Sequence, residues 1–139
     1  MDRFILDTNA LISIIESKNK KMLKRLNEAI IYQNEISTTI LNYYELLRGL
    51  SVTTNAKYRK RIKNYVDEVF NVISTINLKE ADCAAGIHQK VQKKIKGKKG
   101  TPSDVDIIMA AIALSLNATI VSCDNDFNLI GVKVQNWEK

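Results

Sequence analysis

Two acidic residues follow segments that have the composition of buried β-strands. Asp7 comes directly after Phe4-Ile5-Leu6, and Asp124 comes after Thr119-Ile120-Val121 and two further residues. Open α/β sheets bind ligands at the carboxyl ends of their strands, so both carboxylates fall where such a sheet would hold a ligand. Each residue taken alone is better explained as a helix cap or a turn residue. The pair together indicates a shared site.

Two further acids are less readily interpreted. Asp106 stands at the start of an apolar helix, and Thr101-Pro102-Ser103-Asp104 before it has the form of a capping box, with Thr101 as the N-cap and Asp104 at the third helical position. On that interpretation Asp106 lies about one turn inside the helix and needs another partner. Glu45 precedes Arg48 by three residues, and from the residues alone an exposed helical ion pair is the favoured interpretation.

Four segments, taken in order, resemble the PIN-domain family and within it the VapC-type toxins. They are Leu6-Asp7-Thr8-Asn9, Tyr44-Glu45-Leu46-Leu47-Arg48-Gly49, Asp106-Ile107-Ile108-Met109-Ala110-Ala111, and Val121-Ser122-Cys123-Asp124-Asn125-Asp126-Phe127. Each segment alone is weak evidence for the family, but the order and spacing of the four over nearly the whole chain make the resemblance fairly specific. Ser122 stands where many members have Thr, which keeps the hydroxyl group, and Met109 stands where Ile is usual. Asp104 is an alternative to Asp106, but only Asp106 has the family's offset from Ala110-Ala111.

The resemblance implies a metal-dependent endoribonuclease. Its catalytic acids would be Asp7, Glu45, Asp106 and Asp124, with Asn9, Ser122 and Asp126 as supporting polar residues. Carboxylates without His or Cys suit Mg²⁺ or Mn²⁺ better than Zn²⁺. Asp7, Asp106 and Asp124 are expected to bind the metal, while Glu45 either binds it or orients the attacking water.

Around these acids, apolar strands alternate with amphipathic helices throughout the chain. This order predicts one domain over residues 1–139 with a three-layer α/β/α PIN-like fold and a mainly parallel central sheet. The helix that carries Glu45 is expected to place Ile40, Leu41, Tyr44, Leu47 and Leu50 on its buried side. The sole histidine, His88, is expected on a buried or interface stripe with Ala84, Val91 and Ile95, outside the site.

The net charge of +6 is concentrated in basic stretches, which favours a polyanionic partner such as RNA. Lys96, Lys98 and Lys99, just before the Asp106 helix, are the candidate RNA-binding residues, although a solvated loop is an equally good interpretation. Tyr43 and Tyr44 could stack on bases, but at least one is expected in the core. No apolar run approaches the length of a membrane span and no secretory signal is evident, so a cytoplasmic protein with reduced cysteines is expected.

The family resemblance further implies a homodimer and an inhibitory VapB-type antitoxin whose tail occupies a groove of the toxin. An RNA-processing nuclease without an antitoxin is the enzymatic alternative. The alternative that is not an enzyme is an RNA-binding module that does not cleave RNA. A phosphate-accepting receiver domain with Asp7 as acceptor is disfavoured, because receivers carry their acceptor on a later strand.

Overall fold

The computed structural model describes residues 1–53, 55–95 and 102–139, and it contains the predicted alternation of strands and helices. The strands are β1 Arg3–Leu6, β2 Glu35–Thr39, β3 Asn71–Ile73, β4 Thr119–Val121 and β5 Val134–Gln135. The helices are α1 Thr8–Glu16, α2 Lys20–Ile31, α3 Ile40–Thr53, α4 Ala56–Val69, α5 Leu78–Ile95 and α6 Asp104–Leu116, and a 3-10 helix spans Asn125–Leu129.

The five strands form one parallel sheet in the order β3-β2-β1-β4-β5. The chain moves outward from β1 to β2 and β3 and then returns to the other side of β1 to add β4 and β5. The direction of winding therefore reverses between β1 and β4, which is the crevice where parallel α/β sheets bind ligands. A receiver domain has the order 2-1-3-4-5, so the observed order also argues against the receiver alternative.

Alternation along β1 and β4 divides the core into two layers, one on each face of the sheet. Phe4, Leu6 and Val121 point toward α1 to α4, and Ile5 and Ile120 point toward α5 and α6. Strands covered on both faces need apolar residues at consecutive positions, as β1 and β4 have. The predicted three-layer fold is confirmed.

The predicted buried side of α3 is only partly correct: Leu50 packs against the core, and Leu41 and Leu47 are partly buried. Ile40 and Tyr44 are exposed, whereas Asn42 and Leu46 are buried. The apolar residues of α3 are spread around the helix, so their spacing did not single out the face that packs on α1. This rotation matters for the site, because it directs the polar side chain of Asn42 into the protein.

The buried stripe of helix α5 also differs from the predicted one at one position. Ala84, Val91 and Ile95 are buried as expected, but Ile87 completes the stripe and His88 is exposed on this chain. An interior position for His88 is therefore excluded, and an interface position stays a prediction.

The proposed RNA-binding residues Lys96, Lys98 and Lys99 lie outside the described residues, between α5 and α6. Among the helices that the structure does describe, none combines the length and the hydropathy that a membrane crossing requires.

Candidate metal centre

Asp7 lies at the end of β1 in the crevice beside β4. Leu6 pairs with Val121, and the Asp7 backbone N–H donates to the Val121 carbonyl at 3.2 Å. Ser122, the residue that follows β4, therefore lies next to Asp7. The Asp7 carboxylate caps α1 by accepting from the Ala10 N–H at 2.8 Å. It also accepts a hydrogen bond from the Ser122 hydroxyl. Asp7 therefore both caps α1 and belongs to a polar site.

Ser122 connects the two strand ends. Its side chain is 3% exposed, and its oxygen accepts from the Asp124 backbone N–H at 2.9 Å while its hydroxyl donates to Asp7. Asp124 in turn caps the 3-10 helix by accepting from the Asp126 N–H at 2.9 Å. Because the 3-10 helix begins at residue 125, Asp124 and Asp126 are held on one tight turn. The supporting positions expected for Ser122 and Asp126 are thus adjacent to Asp124.

Asp106 has a capping role, contrary to the sequence interpretation. Helix α6 begins at Asp104, its N-cap is Ser103, and the Ser103 hydroxyl oxygen accepts from the Asp106 N–H at 3.2 Å. The Asp106 carboxylate also accepts a hydrogen bond from the Ser103 backbone. Ser103 and Asp106 therefore form the reciprocal capping box, and Asp104 is the first residue of the helix. Thr101, the cap expected from the sequence, lies outside the described residues.

Three carboxylates converge at the end of β4. Asp106, Asp124 and Asp126 each offer an oxygen atom, and these atoms lie within 4.8 Å of one another. All three side chains are partly buried. Oxygen ligands at this spacing, without an imidazole or thiolate in the group, fit a hard cation such as Mg²⁺ or Mn²⁺. The structure thus gathers two of the three expected metal ligands, with Asp126 as the third member of the group.

Asp7 stands outside this group of three but interacts with it electrostatically. Burial raises the pKa of Asp7, and the charges of Asp124 and Glu138 raise it further, against the lowering effect of its hydrogen bonds. Burial likewise raises the pKa of Asp106 to about 6, with smaller contributions in the same direction from Asp124 and Asp7. Crowded acids of this kind favour a bound cation, because it removes the repulsion that keeps them protonated.

Glu45 approaches from α3 through a hydrogen-bonded chain. The Thr8 hydroxyl donates to the Glu45 Oε1 at 2.7 Å, and the Asn42 Nδ2 donates to the Thr8 Oγ1 at 3.0 Å. The expected pair with Arg48 exists at 4.0 Å, with both side chains partly solvated, so it contributes little. Glu45 is therefore linked to the residue that follows Asp7, which the surface-pair interpretation did not predict.

Three polar residues near the site escaped the sequence interpretation. Thr8 and Asn42 contact Glu45 or its partner, and Glu138 acts on Asp7 through its charge. The position of Thr8 directly after Asp7 was an available signal, but no role in the site was assigned to Thr8 from the sequence. Nothing in the sequence indicated Glu138, because its proximity depends on how the segment after β5 returns to the sheet.

The other expected residues are placed as follows. Asn9 is exposed in the first turn of α1. Tyr43 packs against the core, whereas Tyr44 is 59% exposed with the Arg48 guanidinium 5.5 Å from its ring centre. The expectation that at least one of the two tyrosines belongs to the core is confirmed.

The sequence from residue 4 to residue 133 matches the family model described as PIN domain. Among curated proteins, none is matched by this sequence.

Solved structures share the fold over nearly their whole length. VapBC2 from Rickettsia felis, bound to a DNA fragment from its promoter, has a TM-score of 0.79 at 18% identity, over 97% of this chain and 98% of that chain. VapBC-1 from nontypeable Haemophilus influenzae has a TM-score of 0.78 at 22% identity, over 99% of both chains. FitAcB from Neisseria gonorrhoeae has a TM-score of 0.75 at 19% identity, over 96% of this chain and 97% of that chain.

Proposed function

This chain belongs to the PIN domain family, and on that premise we propose that it is a metal-dependent endoribonuclease acting as the toxin of a VapBC-type pair. The observation that carries the proposal is the convergence of Asp106, Asp124 and Asp126 beside the buried Asp7. This cluster lies at the crevice between β1 and β4, where the fold binds ligands. PIN-domain proteins are nucleases, and the acids stand in the segments that carry the family resemblance.

The proposed metal ligands are Asp106 and Asp124, with Asp126 completing a face of three carboxylates. Asp7 is also proposed as a ligand, because its charge contributes to the raised pKa of Asp106. A bound divalent cation in such a site supplies Lewis acidity and lowers the pKa of an attacking water. Ser122 keeps Asp7 and Asp124 in register by bonding to both.

Glu45 is proposed to orient the attacking water. Its Oε1 is held by Thr8, and its Oε2 lies 4.0 Å from the Arg48 guanidinium. This long, partly solvated pair on a side chain that is 30% exposed leaves Oε2 able to accept from a water in the crevice as well. Thr8 therefore fixes the carboxylate, and the carboxylate fixes the water in line with the phosphorus. Basic residues, with Lys96, Lys98 and Lys99 as the candidates from the sequence, are proposed to hold the RNA backbone and make cleavage sensitive to added salt.

The inhibitory partner is proposed to be a VapB-type antitoxin. Two of the compared structures are VapBC proteins. A mainly apolar cavity of about 230 Å³ lies between α1, α2 and α4, lined by Ile14, Leu23, Tyr58, Ile62 and Tyr65 and by Arg61. An amphipathic helix of the antitoxin fits such a groove through its apolar side, while an acidic residue of that helix would pair with Arg61. A homodimer remains part of the proposal.

The decisive test is cleavage of total RNA by the purified protein, with the ends of the products mapped. Mg²⁺ or Mn²⁺ should support cleavage, excess EDTA should stop it, and restoring the metal should restore it. Asp7→Asn and Asp106→Asn should abolish cleavage with unchanged circular dichroism. Asp104→Asn is the matched control, because Asp104 lies in the same helical turn as Asp106 but outside the carboxylate group.

The alternatives appear as distinct outcomes of the same test. Undiminished cleavage in excess chelator would refute the metal mechanism. RNA binding without cleavage, in the presence of metal, would favour the non-cleaving module. Cleavage by a protein whose neighbouring gene encodes no DNA-binding antitoxin would favour the RNA-processing nuclease.

A further inference from the structure

A polar network, buried at one end and partly exposed at the other, extends from the end of β2 to Glu45. It contains Thr39, Asn42, Thr8 and Glu45, which come from α1, from α3 and from the end of β2. Asn42 is 1% exposed and Thr39 is also 1% exposed. Burying an amide costs free energy unless its polar atoms are bonded, so an asparagine at this position needs partners on both sides.

The partners fix the orientation of the Asn42 amide. The Asn42 backbone N–H donates to the Thr39 Oγ1 at 3.2 Å, which leaves the Thr39 hydroxyl proton for the Asn42 Oδ1 at 2.5 Å. With its oxygen occupied by Thr39, the amide directs its Nδ2 toward Thr8 at 3.0 Å. An apolar residue would leave the Thr39 and Thr8 groups without these bonds.

The orientation of Asn42 determines what Thr8 can do. A hydroxyl group has one proton, and because its oxygen already accepts from Asn42, the Thr8 proton is free to donate to the Glu45 Oε1 at 2.7 Å. The three bonds between side chains, from Thr39 to Asn42, from Asn42 to Thr8 and from Thr8 to Glu45, therefore run in one direction and end on the carboxylate. Successive bonds of this kind polarise one another, so the Thr8 hydroxyl becomes a better donor.

We propose that Asn42 is a positioning residue for the nuclease reaction, acting through the Thr8 hydroxyl to hold Glu45 in the crevice. The inference rests on the proposed function for its kinetic test. Glu45 can rotate about several side-chain bonds, and Thr8 with Asn42 restricts it to one position beside the end of β1. Asn42 itself is 1% exposed, so it acts through Thr8 and not by direct contact with substrate.

The kinetic test compares single and double variants. Asn42→Ala and Thr8→Val should each lower kcat by about 10- to 100-fold, the range typical of residues that orient a site's ligands. KM should change far less, and Thr8→Ser should restore most of kcat because it keeps the hydroxyl. Thr38→Val is the matched control: Thr38 is fully buried and its hydroxyl bonds to the Leu6 carbonyl at 2.9 Å, without contact to Glu45.

A double-mutant cycle separates positioning from a general effect on the fold. In a Glu45→Ala background, adding Asn42→Ala should change the residual rate by less than about twofold, because Asn42 acts only through that carboxylate. Multiplicative losses in the double variant, or equal losses in Thr38→Val and Thr8→Val, would overturn the proposal.

A crystal structure of Asn42→Ala provides a readout that does not depend on cleavage. The Glu45 Oε1 is expected to leave hydrogen-bond distance of the Thr8 Oγ1, whereas Thr38→Val should keep that bond. An unmoved and fully ordered Glu45 in Asn42→Ala would refute the positioning role. If the wild-type protein cut no RNA, the proposed function would fail while this structural comparison still decided the role of Asn42.

Discussion

Replacing Asp106 by asparagine is expected to stabilise the metal-free protein at neutral pH while ending RNA cleavage. Burial and the neighbouring Asp124 raise the pKa of Asp106 from 3.8 to about 6. That difference corresponds to about 3 kcal/mol at roughly 1.4 kcal/mol for each pKa unit. Asp106 is partly exposed and water screens its interactions, so the expected gain in unfolding free energy is about 1–2 kcal/mol.

The gain has a defined pH dependence. An unfolded chain releases the Asp106 proton near pH 3.8 and the folded chain near pH 6, so the folded protein binds more protons between these values. Stability of the wild-type protein therefore falls as pH rises through this window. The asparagine variant has no such proton, so its advantage should grow between about pH 4 and pH 6 and stay constant above.

The measurement is urea unfolding in EDTA at several pH values, for the wild-type protein, Asp106→Asn and Asp104→Asn. Asp104→Asn should instead lose about 0.3–1 kcal/mol, because it removes a favourable charge from the N-terminus of α6. Saturating Mn²⁺ should reverse the order of wild type and Asp106→Asn, since only the intact site gains binding free energy. A difference between these two proteins that is independent of pH, or a wild type more stable in EDTA at neutral pH, would refute the electrostatic reasoning.

Three further predictions concern the metal group, the tail of the chain and the glycines. Asp126→Asn should weaken Mn²⁺ binding by about 10- to 100-fold in calorimetry, and unchanged affinity would remove Asp126 from the ligand group. Trp137→Ala should lower the free energy of unfolding by about 3–5 kcal/mol, because Trp137 is 2% exposed and its ring packs edge-on against Phe4 at 5.2 Å. Urea unfolding followed by circular dichroism measures this loss, and a loss under about 1 kcal/mol would mean that the packing is loose. Gly131→Ala should destabilise the protein by about 1–2 kcal/mol, since Gly131 has a φ of +82°. Gly86→Ala should stabilise it by about 0.5–1 kcal/mol, because Gly86 lies in the middle of α5 with open space around it. Equal effects of the two substitutions in thermal unfolding would contradict the backbone argument.

The placement of Asp7 and Asp124 at neighbouring strand ends could be predicted from the sequence. Consecutive apolar and β-branched residues before each acid indicate strands buried on both faces, and parallel strands end at the same edge. Local sequence was enough to predict this placement, because each acid closely follows the strand that positions it. The same holds for Asp126, which shares one tight turn with Asp124.

The contacts of Glu45 could not be predicted in this way. Thr8 and Glu45 are separated by 37 residues and meet only because α3 packs on α1, and the spacing of apolar residues on α3 did not single out the side that carries Asn42 and Leu46. The start of α6 was misplaced for a different reason. Ser103 and Thr101 are both good caps, and the choice between them, which decides the role of Asp106, depends on local backbone geometry.

The central position of β1 has a consequence for the timing of activity during synthesis. Its neighbours in the sheet are β2 and β4, and β4 is formed by residues 119–121, so β1 is synthesised well before one of its two partners. Asp7 cannot face Asp124 until that late partner has arrived, and such long-range pairing is slow to form. A growing polypeptide therefore carries Asp7 before it carries Asp124, and the group of acids can assemble only after the segment that contains Asp124 and Asp126 has been synthesised.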